Sequence, residues 1–245
     1  MSEQRAAGKA IWLSTPHQAM LEIAYDIGFR DVVLDIEHGL FDLEALDRIL
    51  ALGNALGMRM HAKVLGPEAI PIQQALDMGA YSVIIPHIQD VEHAKSVTQY
   101  AKYPNLGKRS FSGTRPARYV GGGDAYFSGE NTRTKCFPMV ESAAALADVE
   151  KILALPTVDG IFVGTSDLSL DSGRGAYKQT AEDDAALERI AAAAKAAGKP
   201  WIMPAWTKRD KDRSNQLGCG LQVVADEYGS LYDGMLAGLN SSMDS

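Results

Sequence analysis

Short apolar runs alternate along the chain with longer stretches in which apolar residues recur three and four positions apart. The runs fall at 10–14, 31–36, 59–64, 82–86, 136–140, 158–163, 200–204 and 220–225. Most are apolar at successive positions, the pattern of strands covered on both faces of a parallel sheet. Between them, Leu43, Leu46, Ile49 and Leu50 mark a one-sided helix, as do Leu187 and Ile190 within the segment 185–197. Eight strands with helical connections predict an α/β fold that closes as a (β/α)8 TIM barrel. A chain of 245 residues suits one such barrel as a single domain, 1–245.

One segment breaks the alternation. Residues 103–135 hold Lys108, Arg109, Arg115, Arg118, Arg133 and Lys135 against Asp124 and Glu130, a surplus of four positive charges in a chain of net charge −7. Gly121-Gly122-Gly123 within it opens no clear helix and follows no strand, so it is no dinucleotide fingerprint and is expected to be a lid or a turn. A long basic loop in a compact barrel suggests a functional segment, turned to an anionic substrate or to an acidic neighbouring subunit.

Composition narrows the class further. The negative charge argues against a nucleic-acid surface. No apolar run is long enough to span a bilayer, and Met1-Ser2-Glu3-Gln4-Arg5 lacks the apolar core of a signal peptide, so a cytoplasmic protein is expected. Cys136 and Cys219 have neither metal-site spacing nor a disulfide framework.

A barrel carries its chemistry at the C-terminal ends of its strands. By that rule the candidates are Asp35, Glu37 and His38 after the second strand, Lys63 ending the third, His87 after the fourth and Glu141 after the fifth. Gly164, Ser166 and Asp167 follow the sixth, Trp206 the seventh, and Asp226 and Glu227 the eighth. The opposite strand ends show less of this chemistry. Glu141 and Asp167, on consecutive strands, can converge on one hard divalent cation such as Mg²⁺, Mn²⁺ or Co²⁺. They can equally serve as acids in the first turns of the helices that follow. His38 suits a general base, or is held against Asp35 or Glu37. Lys63 needs an anionic partner if buried, or else snorkels to the barrel edge. His17, His61, His87 and His93 carry weaker signals.

These residues carry a family resemblance. Asp35-Ile36-Glu37-His38 resembles the D-x-E-H segment of the HpcH/HpaI aldolases. Gln74-Ala75-Leu76-Asp77-Met78-Gly79-Ala80, followed by Val83-Ile84-Ile85-Pro86, is similar to a second family stretch. Val140-Glu141-Ser142, with the run from Val158-Asp159-Gly160 through Gly164-Thr165-Ser166-Asp167-Leu168-Ser169, resembles the most specific signature. The match runs in order over about 12–239. The resemblance implies a barrel of the phosphoenolpyruvate/pyruvate-domain type and a class II aldolase. Such an enzyme cleaves a 4-hydroxy-2-oxo acid to pyruvate and an aldehyde through an enolate that a divalent metal stabilises. It implies metal ligation by Glu141 and Asp167, a pyruvyl pocket lined by backbone at Gly164 and Ser166, and acid/base catalysis by His38 with Asp77 as its carboxylate partner. It also implies a homohexamer built of dimers that exchange a C-terminal helix, here 229–239.

Two departures stand out: Lys63 replaces a family arginine, and Met139 a glutamine. Lysine offers a point charge in place of a planar fork, and it would stabilise the developing enolate. Arg109, Arg115 or Arg118 would recognise a distal carboxylate. Three alternatives stay open: another metal-enolate lyase such as an oxaloacetate decarboxylase, a Schiff-base aldolase using Lys63, and a non-catalytic barrel that binds an oxo acid.

Overall fold

The computed structural model describes residues 7–241, so the N-terminal stretch discussed above lies outside the described residues. Eight strands, β1 (Lys9–Leu13), β2 (Asp31–Asp35), β3 (Arg59–Lys63), β4 (Ser82–Ile85), β5 (Lys135–Val140), β6 (Ile161–Val163), β7 (Trp201–Pro204) and β8 (Leu221–Asp226), pair in order. Every pairing is parallel, and β8 returns to β1 to close the barrel. All eight predicted runs are strands, within three residues at each end.

The helices lie outside. They are α1 (Gln18–Ile27), α2 (Leu43–Ala55), α3 (Ala69–Asp77), α4 (Val91–Thr98), α5 (Asp124–Arg133), α6 (Ala143–Ala147), α7 (Val149–Ala154), α8 (Thr165–Asp171), α9 (Ala181–Ala197), α10 (Lys208–Gln216) and α11 (Glu227–Ser241). Local chemistry starts several of them. Asp42 accepts the Ala45 N–H at 2.7 Å to begin α2, and Thr180 with Asp183 forms a reciprocal capping box at α9. No helix among the described residues is long and apolar enough to cross a membrane.

Burial separates the two faces of each strand. Val32 and Leu34 face the helices, while Val33 joins Ala10, Ile84, Phe137, Phe162, Ile202 and Val223 in the barrel interior. The floor of that interior is polar, contrary to the expectation that the N-terminal strand ends carry little chemistry. Asp31 receives Arg59 Nε and Nη2 at 2.6 Å each, and its Oδ1 lies 3.0 Å from His61 Nε2. His61 Nδ1 reaches Ser82 Oγ at 2.7 Å. Side chains too polar for an apolar layer thus satisfy one another at the closed end.

Residues 103–135 also differ from expectation. The segment contains a turn of 3-10 helix at Arg115–Ala117, and Gly123 starts α5 immediately after the glycine run. Tyr103, Phe111, Tyr126 and Phe127 cluster with ring centroids 5.1–6.4 Å apart. Several of its cations are paired within the chain, while Lys108 and Arg118 are exposed. Arg109 is buried over the Tyr103 ring and bonds Asp77 at 2.8 Å, Arg115 bonds Asp47 and the Met78 carbonyl, and Arg133 bonds Glu130. Arg109 and Arg115, offered above for a distal carboxylate, are engaged by this chain's own acids.

Candidate active site

The C-terminal end of the barrel gathers ionisable groups from five adjacent strands, β2 to β6. β2 and β3 pair with Asp35 opposite Lys63, which puts both at the rim and on the inner face. The buried Lys63 ammonium lies 3.2 Å from Asp35 Oδ1 and also pairs with Glu37. Glu37 in turn meets His87 Nε2 at 2.5 Å through its other oxygen. Burial alone would raise Glu37, but the bond and charge of Lys63, helped by His38 and His87, outweigh it and hold this carboxyl below its usual range.

His87 links this chain of charges to the acids on β5 and β6. It follows β4 in a left-handed backbone conformation, φ 59°, which aims its N–H at Glu141 Oε1, 2.5 Å away. Left-handed non-glycine residues are sparse and cluster at functional sites. Glu141 does not cap the next helix; Ser142 does, accepting the Ala145 N–H at 3.1 Å. That leaves the Glu141 carboxylate free of a helix-capping duty. Asp167 sits in the first turn of α8, and with Glu141 and His87 it lines a cavity of about 510 Å³. Gly164 lets the acids approach: a Cβ there would lie 2.8 Å from Glu141 Cβ and 2.9 Å from its Oε2. Ser166 is exposed one residue before Asp167.

The donor set fits a hard divalent cation. Burial pushes Glu141 above its usual value; the His87 N–H and ring oppose this, and the negative charges of Asp167 and Glu37 add to it. A carboxylate raised in this way is one that a cation relaxes. Among the described residues there is no cluster of three or more His, Cys, Asp or Glu ligands, so a cation held here would need water or other oxygens to complete its shell.

His38 is exposed at the mouth, its Nε2 3.5 Å from Glu37 and its backbone N–H on Asp35 Oδ1 at 3.2 Å. Asp77 is not its partner within this chain. It ends α3, hence lies at the opposite end of the barrel, and bonds Arg109. The direction of α3 carries that information: a helix leading into a strand finishes at that strand's N-terminal end. Glu227 is also spent structurally, accepting the N–H groups of Ser14 at 2.9 Å and Thr15 at 3.1 Å. Sequence reasoning underrated Glu37 and His87, although both stand at strand ends, where the barrel rule places chemistry.

The family model HpcH/HpaI aldolase/citrate lyase matches residues 9–214. The chain is 31% identical to a 4-hydroxy-2-oxovalerate aldolase of Novosphingobium aromaticivorans, over 76% of this chain and 73% of that protein. It is 32% identical to a 2-keto-3-deoxy-L-rhamnonate aldolase of Salmonella schwarzengrund, over 81% and 76% respectively. A solved HpcH/HpaI aldolase of Desulfitobacterium hafniense superposes with a TM-score of 0.88 at 20% identity, covering 100% of this chain and 97% of that one. With the acid-rimmed mouth of this barrel and the run of residues that builds it falling inside the match, the chain belongs to the HpcH/HpaI aldolase/citrate lyase family and is a carbon–carbon lyase.

Proposed function

We propose that the protein is a divalent-metal-dependent aldolase that cleaves a 4-hydroxy-2-oxo acid into pyruvate and an aldehyde. The observation that carries this reading is the pair Glu141 and Asp167, on consecutive strand ends over one cavity, with the buried Lys63 ammonium on β3, two strands from β5. The two aldolase relatives act, by their names, on 2-oxo acids. Glu141 and Asp167 would hold the cation, which supplies Lewis-acid polarisation of the substrate's oxo group.

This chain's residues do the rest. Backbone groups at Gly164 and Ser166 bind the pyruvyl carboxylate. His38, free to move at the mouth, takes the proton of the 4-hydroxyl, directly or through one water. The C4–O bond becomes a carbonyl as C3–C4 breaks, and the electron pair passes into the C2 oxo group. Lys63 places positive charge on that side as the oxygen gains electron density. C3 then takes a proton to give pyruvate. A Schiff base at Lys63 fits less well, because its nitrogen is engaged by two carboxylates rather than set in an apolar pocket.

The test is exchange of pyruvate methyl protons with solvent deuterium, together with retro-aldol turnover. Both are expected to stop on chelation and in Glu141→Ala, and to return with Mg²⁺, Mn²⁺ or Co²⁺ in the wild type. Full activity after chelation would overturn the metal reading. We also propose a homohexamer, a trimer of dimers, assembled through α11, whose Tyr228, Leu231, Tyr232, Met235 and Leu239 are exposed.

A further inference from the structure

Facing away from the acids, the barrel mouth is aromatic. Trp12 of β1 meets Phe162 of β6 at 6.1 Å between ring centroids, and meets Trp206 at 6.4 Å with the planes at 80°. Lys63 Nζ stands 5.7 Å from the Trp12 ring. Trp206 lies two residues beyond β7, on backbone fixed by the bond from Ala205 N–H to the Val223 carbonyl at 2.8 Å, yet it remains 44% exposed. Phe162, fully buried two residues before Gly164, backs Trp12 from the interior, so the aromatic cluster begins below the proposed pyruvyl pocket and runs outward to Trp206 in the β7 loop.

We infer that Trp206, backed by Trp12, selects the aldehyde half of the substrate and that it favours an apolar or aromatic aldehyde over a polyhydroxylated or anionic one. This rests on the aldolase reading. A substrate held at its oxo-acid end between the Glu141–Asp167 pair and Lys63 lies along Trp12, and its C4 substituent projects toward Trp206. An apolar substituent covers indole surface that water otherwise contacts. An anionic one meets Asp35, Glu37, Glu141 and Asp167, against which Lys63 is, among the described residues, the one lysine or arginine in the rim network and is already doubly paired. Arg109 and Arg115 are turned to Asp77 and Asp47.

The experiment is aldol addition, in which pyruvate loses a methyl proton, its C3 bonds the aldehyde carbon, and the aldehyde oxygen takes up a proton. Hexanal, benzaldehyde, glycolaldehyde and succinic semialdehyde are compared by kcat/KM with Mn²⁺ present. The wild type is expected to favour hexanal and benzaldehyde. Trp206→Ala is expected to shift the hexanal-to-glycolaldehyde ratio by about tenfold or more toward glycolaldehyde, mostly through KM, and Trp206→Phe to retain most of the preference. A wild type that exchanges pyruvate protons but prefers glycolaldehyde or succinic semialdehyde overturns this inference alone. So does an unchanged ratio in Trp206→Ala. A wild type that exchanges no pyruvate protons with any of the three metals overturns the aldolase reading, and the inference with it.

Discussion

Lys63 carries one charge against two carboxylates, and all three side chains are buried at the barrel rim. Removing one partner of such a cluster costs more than the cluster contributes, because a buried charge is left unmatched. Lys63→Met is therefore expected to lower stability by about 3–5 kcal/mol in urea denaturation. In a Glu37→Gln background the same change is expected to cost clearly less, since one stranded charge is gone. Equal costs in both backgrounds would show that the network is not coupled. At the floor, Asp31 lies below the ordinary aspartate value of 3.8: burial pulls it up, and His61 and Arg59 outweigh that. A carboxyl lowered in the native state contributes stability that is complete above its unfolded value and is lost as pH falls toward its native one. Asp31→Asn should therefore cost about 2 kcal/mol at neutral pH, and it should flatten the acid limb of the stability curve below about 3.8. A variant with an unaltered acid limb would contradict that assignment.

The strands were legible because a β-run buried on both faces leaves an unbroken apolar signature, as in Val32-Val33-Leu34. α5 was not. Its sequence from Asp124 to Arg133 is mostly polar, with Tyr126 and Phe127 adjacent rather than three or four apart, and its one buried residue is Glu130. It is held by the aromatic cluster and by Lys102, which donates to the Asn131 and Thr134 carbonyls at 2.9 and 2.7 Å. Those contacts are long-range and leave no periodic trace. Within the site, residue types and strand-end positions pointed to Glu141, Asp167, Lys63 and His38. The bridging role of Glu37 depends on register and rotamer, and the distance of Asp77 from His38 within one chain was hidden because motif order does not say which end of a helix meets the mouth. The turn from β6 into α8 offers a test at this scale. Gly164→Ala places a methyl group within 3 Å of Glu141. It is expected to lower kcat/KM by about a hundredfold through displacement of a reacting group, and to lower the thermal midpoint as well, because the methyl meets Glu141 Cβ beside the backbone. α11 offers another: Tyr232→Ser with Met235→Ser should reduce the mass seen by light scattering, and an unchanged mass would move the interface elsewhere.

For the whole molecule, the pairing of Arg109, Arg115 and Arg133 with the chain's own acids has a kinetic consequence. Cations bound to the chain's own acids cast little field into solvent, so an approaching oxo acid meets a protein whose net charge of −7 is not offset by a basic funnel. Encounter is then slowed by repulsion between like charges rather than hastened by attraction. Added salt shortens the reach of that repulsion, to about 8 Å at physiological ionic strength. The second-order rate constant for an anionic substrate should consequently rise as sodium chloride is added from low concentration and then level off, the reverse of the trend for an electrostatically guided enzyme.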